Sequence, residues 1–217
     1  MAADCVVVLG GSFDPIHNGH VALATYFTDL LAPAALRIIP AGNPWQKNGL
    51  HATADQRVAM IARAFAGQAY PVSVDQQEIH RQTASYSIDT LRNLRAEFGP
   101  LASLAFVIGA DQLQKLHTWR EWRALFDYAH ICVASRPGFT LDPAHMHADV
   151  AAEFTRRAGS AQQIRSTPQG LSLIGNSLAI DISATDIRAI INSGARPGAL
   201  VPPTVLDYIQ QHHLYQS

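Results

Sequence analysis

The chain of 217 residues has few charged side chains and almost no cysteine, and each shortage excludes a class of protein. Charged residues make up 15% of the chain and the formal net charge is -1, so no overall basic field for nucleic acid is present. The two cysteines, Cys5 and Cys132, each lie in an apolar run, which predicts buried free thiols rather than a disulfide framework. We therefore expect local donors to hold any small anionic ligand.

The sequence also lacks long apolar segments. No apolar run approaches the ~20 residues that a membrane span needs, and Met1 to Asp4 lack the basic start of a signal peptide. These features predict a soluble cytoplasmic protein with no membrane partner. A hydrophobic content of 48% over 217 residues is enough to bury one full core, so we expect a single domain over residues 1–217.

Short β-branched runs alternate with segments of helical period along the chain. The expected strands are 5–9, 36–39, 72–74, 104–108 and 131–134, and the expected helices are about 19–31, 54–66, 87–98, 183–193 and 204–213. This alternation predicts an α/β fold with a doubly wound, Rossmann-like, mainly parallel sheet and helices on both faces. Residues 138–170 are expected to form a less regular excursion from it.

The first strand is followed by GGSFDPIHNGH, residues 10–20. Ligands of such sheets bind beyond the carboxyl ends of the strands. Gly10 and Gly11 allow a tight bend and a close backbone approach, and the next helix directs its free N–H groups at the same space. His17 and His20 are three residues apart, so they project on one side and can reach one anion together. A polyphosphate fits this donor set.

Other interpretations of this turn stay open. The glycines and histidines are also compatible with a structural turn that carries two surface histidines. Two zinc ligands are a further alternative, although no third ligand stands at metal spacing nearby. The dinucleotide fingerprint G-x-G-x-x-G and the Walker motif G-x-x-x-x-G-K-[ST] are both absent.

A second motif, ISATDIR, occupies residues 182–188. Ser183 is a credible helix N-cap, and Asp186 completes a pattern like a capping box. Ser183, Thr185 and Arg188 place two hydroxyls and a guanidinium around a helix N-terminus, which predicts a second phosphate site. The alternative is a well-capped helix with no ligand.

These two motifs together resemble the T/HxGH and ISxTxxR pair of the HxGH nucleotidyltransferase superfamily. Within it, the chain resembles the bacterial nicotinate-nucleotide adenylyltransferases over essentially its whole length. The supporting segments are RQTASYSIDTL at 81–91, FVIGAD at 106–111, Trp119 and SRPG at 135–138.

The resemblance implies transfer of an adenylyl group from ATP to nicotinate mononucleotide, with Mg²⁺ and with pyrophosphate as the second product. It implies that His17, His20 and Arg188 are the catalytic residues, with the histidines at the α- and β-phosphates and Arg188 at the outer phosphates. The implied ATP-binding residues are Gly10, Gly11, Ser12, Phe13, Lys47, Asp111, Ser183 and Thr185.

For the acceptor, the resemblance implies that the backbone around Tyr86 and Ser87 and the ring of Trp119 hold the pyridine and its carboxylate. Arg136 would contact the phosphate of the mononucleotide. Two structural alternatives stay open, because Trp119 could fill the core and Asp111 could cap a helix instead of contacting the ribose or adenosine.

One segment departs from the family pattern. Where the family usually has P-P-H-[KR] after the second strand, this chain has NPWQK at 43–47, so Gln46 stands in the histidine position. Lys47 keeps a positive charge in this loop, and nearby His51 could substitute for the missing histidine.

Several rival functions are weighed against this expectation. Within the superfamily, the rivals are a pantetheine-phosphate adenylyltransferase and an enzyme that prefers nicotinamide mononucleotide. Outside it, the absent G-x-G-x-x-G argues against an oxidoreductase, while both histidines and Arg188 argue against a non-catalytic nucleotide-binding module. The partners expected are therefore ATP and nicotinate mononucleotide, and a homo-oligomer stays an open alternative.

Overall fold

Six parallel strands form one sheet at the centre of the molecule. The structure, a computed structural model, describes residues 4–42, 50–134, 146–175 and 182–216. The strands are β1 (Cys5–Gly11), β2 (Ala35–Pro40), β3 (Val72–Val74), β4 (Ser103–Gly109), β5 (His130–Ala134) and β6 (Ser172–Gly175). Their order in the sheet is β3-β2-β1-β4-β5-β6, and every neighbouring pair is parallel. The predicted doubly wound α/β fold is confirmed.

Helices cover both faces of this sheet. They are α1 (Asn18–Leu31), α2 (Ala54–Ala64), α3 (Ser87–Phe98), α4 (Ala110–Lys115), α5 (Ala148–Arg156), α6 (Ala161–Ser166), α7 (Ala184–Asn192) and α8 (Pro203–Gln211). Short 3₁₀ helices at Leu116–Thr118, Trp122–Asp127 and Gly198–Leu200 complete the connections. Helices α5 and α6 lie in the segment expected to be a less regular excursion, whose residues 138–145 lie outside the described part of the chain.

The central strands are buried on both faces, and alternate residues of β1 enter two different cores. Val7 and Leu9 lie in one core with side chains of α1, α7 and α8, whereas Val6 and Val8 lie in another with side chains of α3 and the Trp122–Asp127 helix. Burial on both faces accounts for the unbroken apolar runs that identified the strands in the sequence. The chain leaves β1 toward β2 and β3, then returns to β4 on its other side, so the strand order reverses between β1 and β4.

The glycine pair that was expected to form a tight turn belongs to the strand instead. Gly10 and Gly11 continue β1 and pair with Ile39 and Pro40 of β2. The bend follows later, at Phe13, whose backbone takes a φ of 49°. A Cβ on Gly11 would lie 3.0 Å from the Phe13 ring, so this glycine leaves room for the packed ring rather than bending the chain.

The strand β6 was not among the predicted strands. It has four residues at the edge of the sheet, and its Ile174 is 47% exposed. A short edge strand that is not buried on both faces lacks the continuous apolar run by which the inner strands were recognised.

Arg95 and His130 fix the amino ends of the strands, away from the carboxyl ends. The Arg95 guanidinium donates to the carbonyls of Gly99, Ala102, Tyr128 and Pro168. His130 begins β5 and is fully buried; its Nδ1 accepts from the Leu171 N–H at 3.1 Å and its Nε2 lies 2.8 Å from the Thr167 carbonyl. Burial lowers the pKa of His130 because it penalises the charged ring.

Both cysteines are buried and free, as predicted. Among the helices that the structure describes, none is long and apolar enough to cross a membrane.

Candidate active site

A cavity of about 410 Å³ lies at the carboxyl ends of the strands, around the point where the strand order reverses. The strand ends contribute Gly10 and Gly11 of β1, Ile39 of β2, Ile108 of β4 and Ala134 of β5. This is where doubly wound sheets bind their ligands. The cavity therefore lies at the strand ends where the sequence predicts a ligand site.

The structure brings most of the predicted site residues to this cavity. Those that line it are Gly10, Gly11, Ser12, His17, His20, Tyr86, Ser87, Asp111, Trp119, Ser183 and Thr185. Phe13 and Arg188 are not among the lining residues. Lys47 and Arg136 lie outside the described residues, and so does Gln46.

The lining residues come from the two faces of the sheet. We call the group His17, His20, Ser183 and Thr185 the histidine side, because the helices α1 and α7 that carry it pack on one core. We call the group Tyr86, Ser87, Trp119 and Arg120 the tryptophan side, because Tyr86 and Trp119 pack against the other core. The cavity thus joins both faces of the sheet across its carboxyl edge.

On the histidine side, the two histidine rings are stacked. Their centroids lie 3.7 Å apart at an angle of 25°, and the Phe13 ring meets His20 edge-on at 5.0 Å. The His17 N–H donates to His20 Nδ1 at 3.3 Å. Since Nδ1 accepts this bond, a neutral His20 carries its proton on Nε2 and can donate it to an anion. The expectation that both histidines project on one side is confirmed.

A buried carboxylate holds the loop that carries these histidines. Asp14 is 3% exposed, and its Oδ2 accepts from the His51 N–H at 2.8 Å. Its Oδ1 accepts from the Ala52 N–H at 3.0 Å and from the Tyr215 hydroxyl at 2.8 Å. His51 thus serves the loop through its backbone, and its side chain does not line the cavity.

Two arginines complete the support of the loop. Arg57 is 2% exposed and donates from Nη1 to the Ser12 carbonyl at 2.9 Å. Burial lowers the pKa of Arg57, and the charge of Asp14 partly opposes that shift. Arg188 donates from Nη1 to the Asp14 carbonyl at 2.7 Å and from Nη2 to the Thr185 hydroxyl at 3.3 Å. Arg188 therefore links the second sequence motif to the first.

The helix α7 begins as the sequence predicts. Ser183 is its N-cap: the serine hydroxyl accepts from the Asp186 N–H at 3.1 Å and donates to Asp186 Oδ2 at 2.6 Å. Residues Ile182 to Thr185 line the cavity, so the N-terminus of α7 faces it. The N-termini of α1 and α3 reach the same cavity through Gly19 and Ser87. Three positive dipole ends and their N–H groups favour an anionic ligand there.

On the tryptophan side, aromatic rings and one guanidinium line the cavity. Trp119 is half-buried, and its ring lies 6.4 Å from that of Phe106. Among the described residues its indole nitrogen has no hydrogen-bond partner, so packing orients this ring. The Arg120 guanidinium carbon lies 5.0 Å from the centre of the Tyr86 ring. Trp119 is therefore part of the cavity wall and not only of the core.

Asp111 does not cap a helix. The N-cap of α4 is Gly109, and Asp111 follows in the first turn, where it lines the cavity. A Cβ on Gly109 would lie 2.7 Å from Asp111 Oδ1, so this carboxylate folds back over the glycine at the strand end. The capping alternative is wrong, and the Asp111 side chain lines the cavity instead.

Sequence reasoning missed Glu78, a carboxylate in the cavity wall. Glu78 is 9% exposed, and its Oε1 accepts from the Thr90 hydroxyl at 2.7 Å. Burial raises the pKa of Glu78. Its own carbonyl accepts from the Ser85 hydroxyl at 3.5 Å, and a Cβ on Gly42 would clash with that carbonyl. Glu78 thus joins the chain after β2 to the start of α3.

The zinc alternative receives no support from the part of the chain that the structure describes. No group of three or more histidine, cysteine, aspartate or glutamate side chains there could hold a metal ion. The two stacked histidines are accompanied by hydroxyls and helix N-termini instead, which is a donor set for phosphate oxygens.

Known proteins match this chain over nearly its whole length. A cytidylyltransferase-like family model matches residues 8–190. A probable nicotinate-nucleotide adenylyltransferase from Herminiimonas arsenicoxydans is 61% identical over 213 residues, which is 98% of this chain and 97% of that protein. One from Chromobacterium violaceum is 42% identical over 97% of this chain and 98% of its own length. The chain belongs to the nicotinate-nucleotide adenylyltransferase family.

Solved structures extend the agreement in this family to the fold. The Plasmodium falciparum nicotinic acid mononucleotide adenylyltransferase complexed with NaAD has a TM-score of 0.75 at 16% identity, over 98% of this chain and 97% of that one. A putative nicotinate-nucleotide adenylyltransferase from Vibrio parahaemolyticus has a TM-score of 0.65 at 13% identity, over 99% and 96%. At these identities the likeness concerns the fold alone. The family resemblance seen in the sequence is confirmed.

Proposed function

We propose that this chain transfers the adenylyl group of ATP to nicotinate mononucleotide, giving nicotinate adenine dinucleotide and pyrophosphate. The observation that carries this proposal is that His17 and His20, with the N-terminus of α7, share one cavity with an aromatic wall that includes Trp119. One side suits a polyphosphate and the other suits a planar ring. The relatives that share nearly the full length of the chain carry the corresponding enzyme name.

The reaction needs positioning and charge stabilisation rather than covalent catalysis. An oxygen of the mononucleotide 5′-phosphate attacks the α-phosphorus of ATP in line, and the bond from that phosphorus to the bridging oxygen of the β-phosphate breaks. Pyrophosphate leaves with the bond electrons, so negative charge grows on the bridging oxygen. Donors fixed before the reaction stabilise such charge without reorganisation.

The histidine side supplies those donors. His20 can donate from Nε2, because its Nδ1 already accepts the His17 N–H. We assign both histidines to the α- and β-phosphates, and Ser183, Thr185 and the N-terminus of α7 to the outer phosphates. Arg188 acts there through Thr185 and the Asp14 carbonyl, to which it is hydrogen-bonded.

Other assignments complete the two substrate sites. Gly10, Gly11 and Ser12 provide backbone approach to ATP, and Asp111 serves its ribose or adenosine. The Phe13 ring is fully buried, so its part in ATP binding is to hold the His20 ring from behind. Tyr86, Ser87 and Trp119 hold the pyridine ring and its carboxylate. Lys47 and Arg136 stay predicted contacts to the phosphates of ATP and of the mononucleotide.

Mg²⁺ enters this proposal as part of the ATP substrate. Glu78 and Asp111 are the only carboxylates among the described lining residues, and Glu78 already accepts a hydrogen bond from the Thr90 hydroxyl. Magnesium at nucleotide sites is held mainly by phosphates and water, with one or two protein carboxylates. The donors present fit that arrangement, in which Asp111 would be the protein carboxylate beside the phosphates.

A side-by-side assay tests the proposal. The purified chain is supplied with ATP, Mg²⁺ and either nicotinate or nicotinamide mononucleotide, and pyrophosphate release is followed with time. We expect release that depends on both ATP and nicotinate mononucleotide. No pyrophosphate above background with either acceptor would refute the enzyme assignment, and equal rates with both acceptors would refute the narrower assignment of the acceptor.

A further inference from the structure

Arg120 is a cation of the cavity wall for which neither the sequence motifs nor the proposed mechanism has a role. It follows Trp119 directly, after the Leu116–Thr118 3₁₀ helix. Among the lining residues that the structure describes, Arg120 is the only lysine or arginine. The other titratable groups there are the two histidines, the Tyr86 phenol and the carboxylates of Glu78 and Asp111. The tryptophan side therefore has a single permanent positive charge among its described residues.

Among the described residues, the surroundings of the Arg120 guanidinium orient it and engage only its Nε in an ion pair. The guanidinium carbon lies over the Tyr86 ring at 5.0 Å, and Nε lies 3.5 Å from Glu121 Oε1. Glu121 is shared, because its other oxygen pairs with Arg92 at 2.5 Å. Among the described residues, the two Nη atoms of Arg120 have no hydrogen-bond or ion-pair partner, and the side chain is 55% exposed. The paired donor face of Arg120 is thus available.

We infer that Arg120 binds the carboxylate of the pyridine ring and so makes the site prefer a pyridine carboxylate over the corresponding carboxamide. This inference rests on the proposed function. A ring placed between Tyr86 and Trp119 brings its substituent to the guanidinium that lies over Tyr86. A planar guanidinium donates two parallel bonds to a carboxylate, whereas a carboxamide is neutral and offers it one acceptor atom.

The alternative target of Arg120 is the phosphate of the mononucleotide. Nicotinate and nicotinamide mononucleotides carry the same phosphate, so loss of a phosphate contact would weaken both substrates equally. Loss of a carboxylate contact would weaken only the nicotinate form. The ratio of kcat/KM for the two substrates therefore separates the two targets, and a purely structural role of Arg120 would not change it.

The test compares Arg120→Gln and Arg120→Lys with Arg123→Gln as a matched control. Arg123 lies over the Trp122 ring at 4.3 Å and pairs with Asp149 at 2.6 Å, but it does not line the cavity. We expect Arg120→Gln to lower kcat/KM for nicotinate mononucleotide about tenfold, mainly through KM, equivalent to about 1.4 kcal/mol. The kcat/KM of Arg120→Gln for nicotinamide mononucleotide should stay within about twofold of the wild-type value. If turnover of this substrate is too slow to measure, its inhibition constant is compared between the two proteins instead. Arg120→Lys should keep part of the preference, and Arg123→Gln should keep all of it.

Salt gives a second readout, because an exposed ion pair is screened by added ions. Raising the potassium chloride concentration should raise KM for nicotinate mononucleotide more in the wild type than in Arg120→Gln. If Arg120→Gln leaves the ratio of kcat/KM for the two substrates unchanged, whether by no loss or by an equal loss with both, the inference is overturned. In that case, turnover of nicotinate mononucleotide by the wild type still upholds the proposed function. If the wild type itself fails to use nicotinate mononucleotide, both the proposed function and the role of Arg120 are refuted.

Discussion

On the histidine side of the cavity, the loop over residues 10–20 is held by buried polar groups that hydrogen-bond to its backbone and its one carboxylate. Asp14 and Arg57 are both nearly inaccessible to solvent, and Tyr215 reaches Asp14 from the far end of the chain. On the tryptophan side, Trp119 is half-buried and oriented by packing, and Arg120 is exposed.

This difference matches the tasks that we assign to the two sides. Groups that stabilise a transition state must be held in place before the reaction, and buried hydrogen bonds hold the histidine loop in that way. Groups that recognise a ring by stacking and charge tolerate more freedom. We therefore expect substitutions on the histidine side to act mainly on kcat or on stability, and substitutions on the tryptophan side to act mainly on KM.

The largest effect is expected for His20→Ala. It removes a donor that we place at the reacting phosphates, and it should lower kcat by at least ~10²-fold while the fold persists. Steady-state kinetics and circular dichroism check both parts. The control is His117→Ala, which removes an exposed histidine that does not line the cavity. An unfolded His20→Ala protein, or one with unchanged kcat, would contradict the assignment.

Arg57→Leu should be the most destabilising change to the support of the loop. It leaves the Ser12 carbonyl without its donor and the buried Asp14 charge without its neighbour, so we expect a loss of about 3 kcal/mol in the free energy of unfolding. Urea denaturation measures it. Arg63→Leu, on the exposed face of the same helix α2, should cost less than about 1 kcal/mol. Equal losses in the two variants would show that Arg57 has no special role.

Trp119→Ala tests the tryptophan side by removing the aromatic wall. We expect KM for nicotinate mononucleotide to rise about tenfold and kcat to change less, since an aromatic contact is worth about 0.5–1.5 kcal/mol beyond its buried area. Trp119→Phe should restore most of the affinity. A Trp119→Ala variant with a lower kcat and an unchanged KM would contradict the expectation that the tryptophan side acts mainly on KM.

Tyr215→Phe should have a smaller effect on the histidine side. The substitution removes only the hydroxyl that donates to Asp14 Oδ1, so about 1 kcal/mol of stability should be lost. Because this bond holds the loop, we also expect kcat to fall a few-fold at constant KM. Thermal denaturation and kinetics measure the two effects. If this variant had the stability and the kcat of the wild type, Tyr215 would have no role in holding the loop.

The amino ends of the strands provide a reference region away from the cavity, where only stability and not catalysis should change. The pKa of His130 is lower in the folded chain than the ordinary value of about 6.5, so its contribution to stability is complete above that pH. It is lost as the pH falls, by up to about 1.4 kcal/mol per pH unit. Chemical denaturation from pH 7.5 to 5.5 measures this loss, which should be smaller in His130→Asn. Equal pH dependence in both proteins would contradict it.

The sequence predicted the residues of the histidine side better than the hydrogen bonds that hold their loop. His17, His20 and Ser183 lie in short local motifs, and the strand before the two histidines is a continuous apolar run, so both could be recognised from neighbouring residues. Tyr215 and Asp14 are separated by 201 positions along the chain, and no local sequence pattern predicts their hydrogen bond.

The tryptophan side shows the same limit. Trp119 was found only through the family resemblance, and Glu78 and Arg120 were not found at all. An exposed arginine beside an acidic residue is the ordinary composition of a surface turn, and only the folded chain places it over the Tyr86 ring. The bend at Phe13 was wrongly placed on the glycines, because glycine can serve either conformational freedom or close packing and the sequence does not distinguish the two.

The central claim, that the mononucleotide phosphate attacks the α-phosphorus of ATP, is tested most directly with isotopic label. The chain is incubated with unlabelled ATP, Mg²⁺ and nicotinate mononucleotide that carries ¹⁸O in the three terminal oxygens of its phosphate. The masses of the products are then measured by mass spectrometry. The account predicts nicotinate adenine dinucleotide that retains all the label, together with unlabelled pyrophosphate. Label in pyrophosphate, or ADP as the product in place of the dinucleotide, would contradict it.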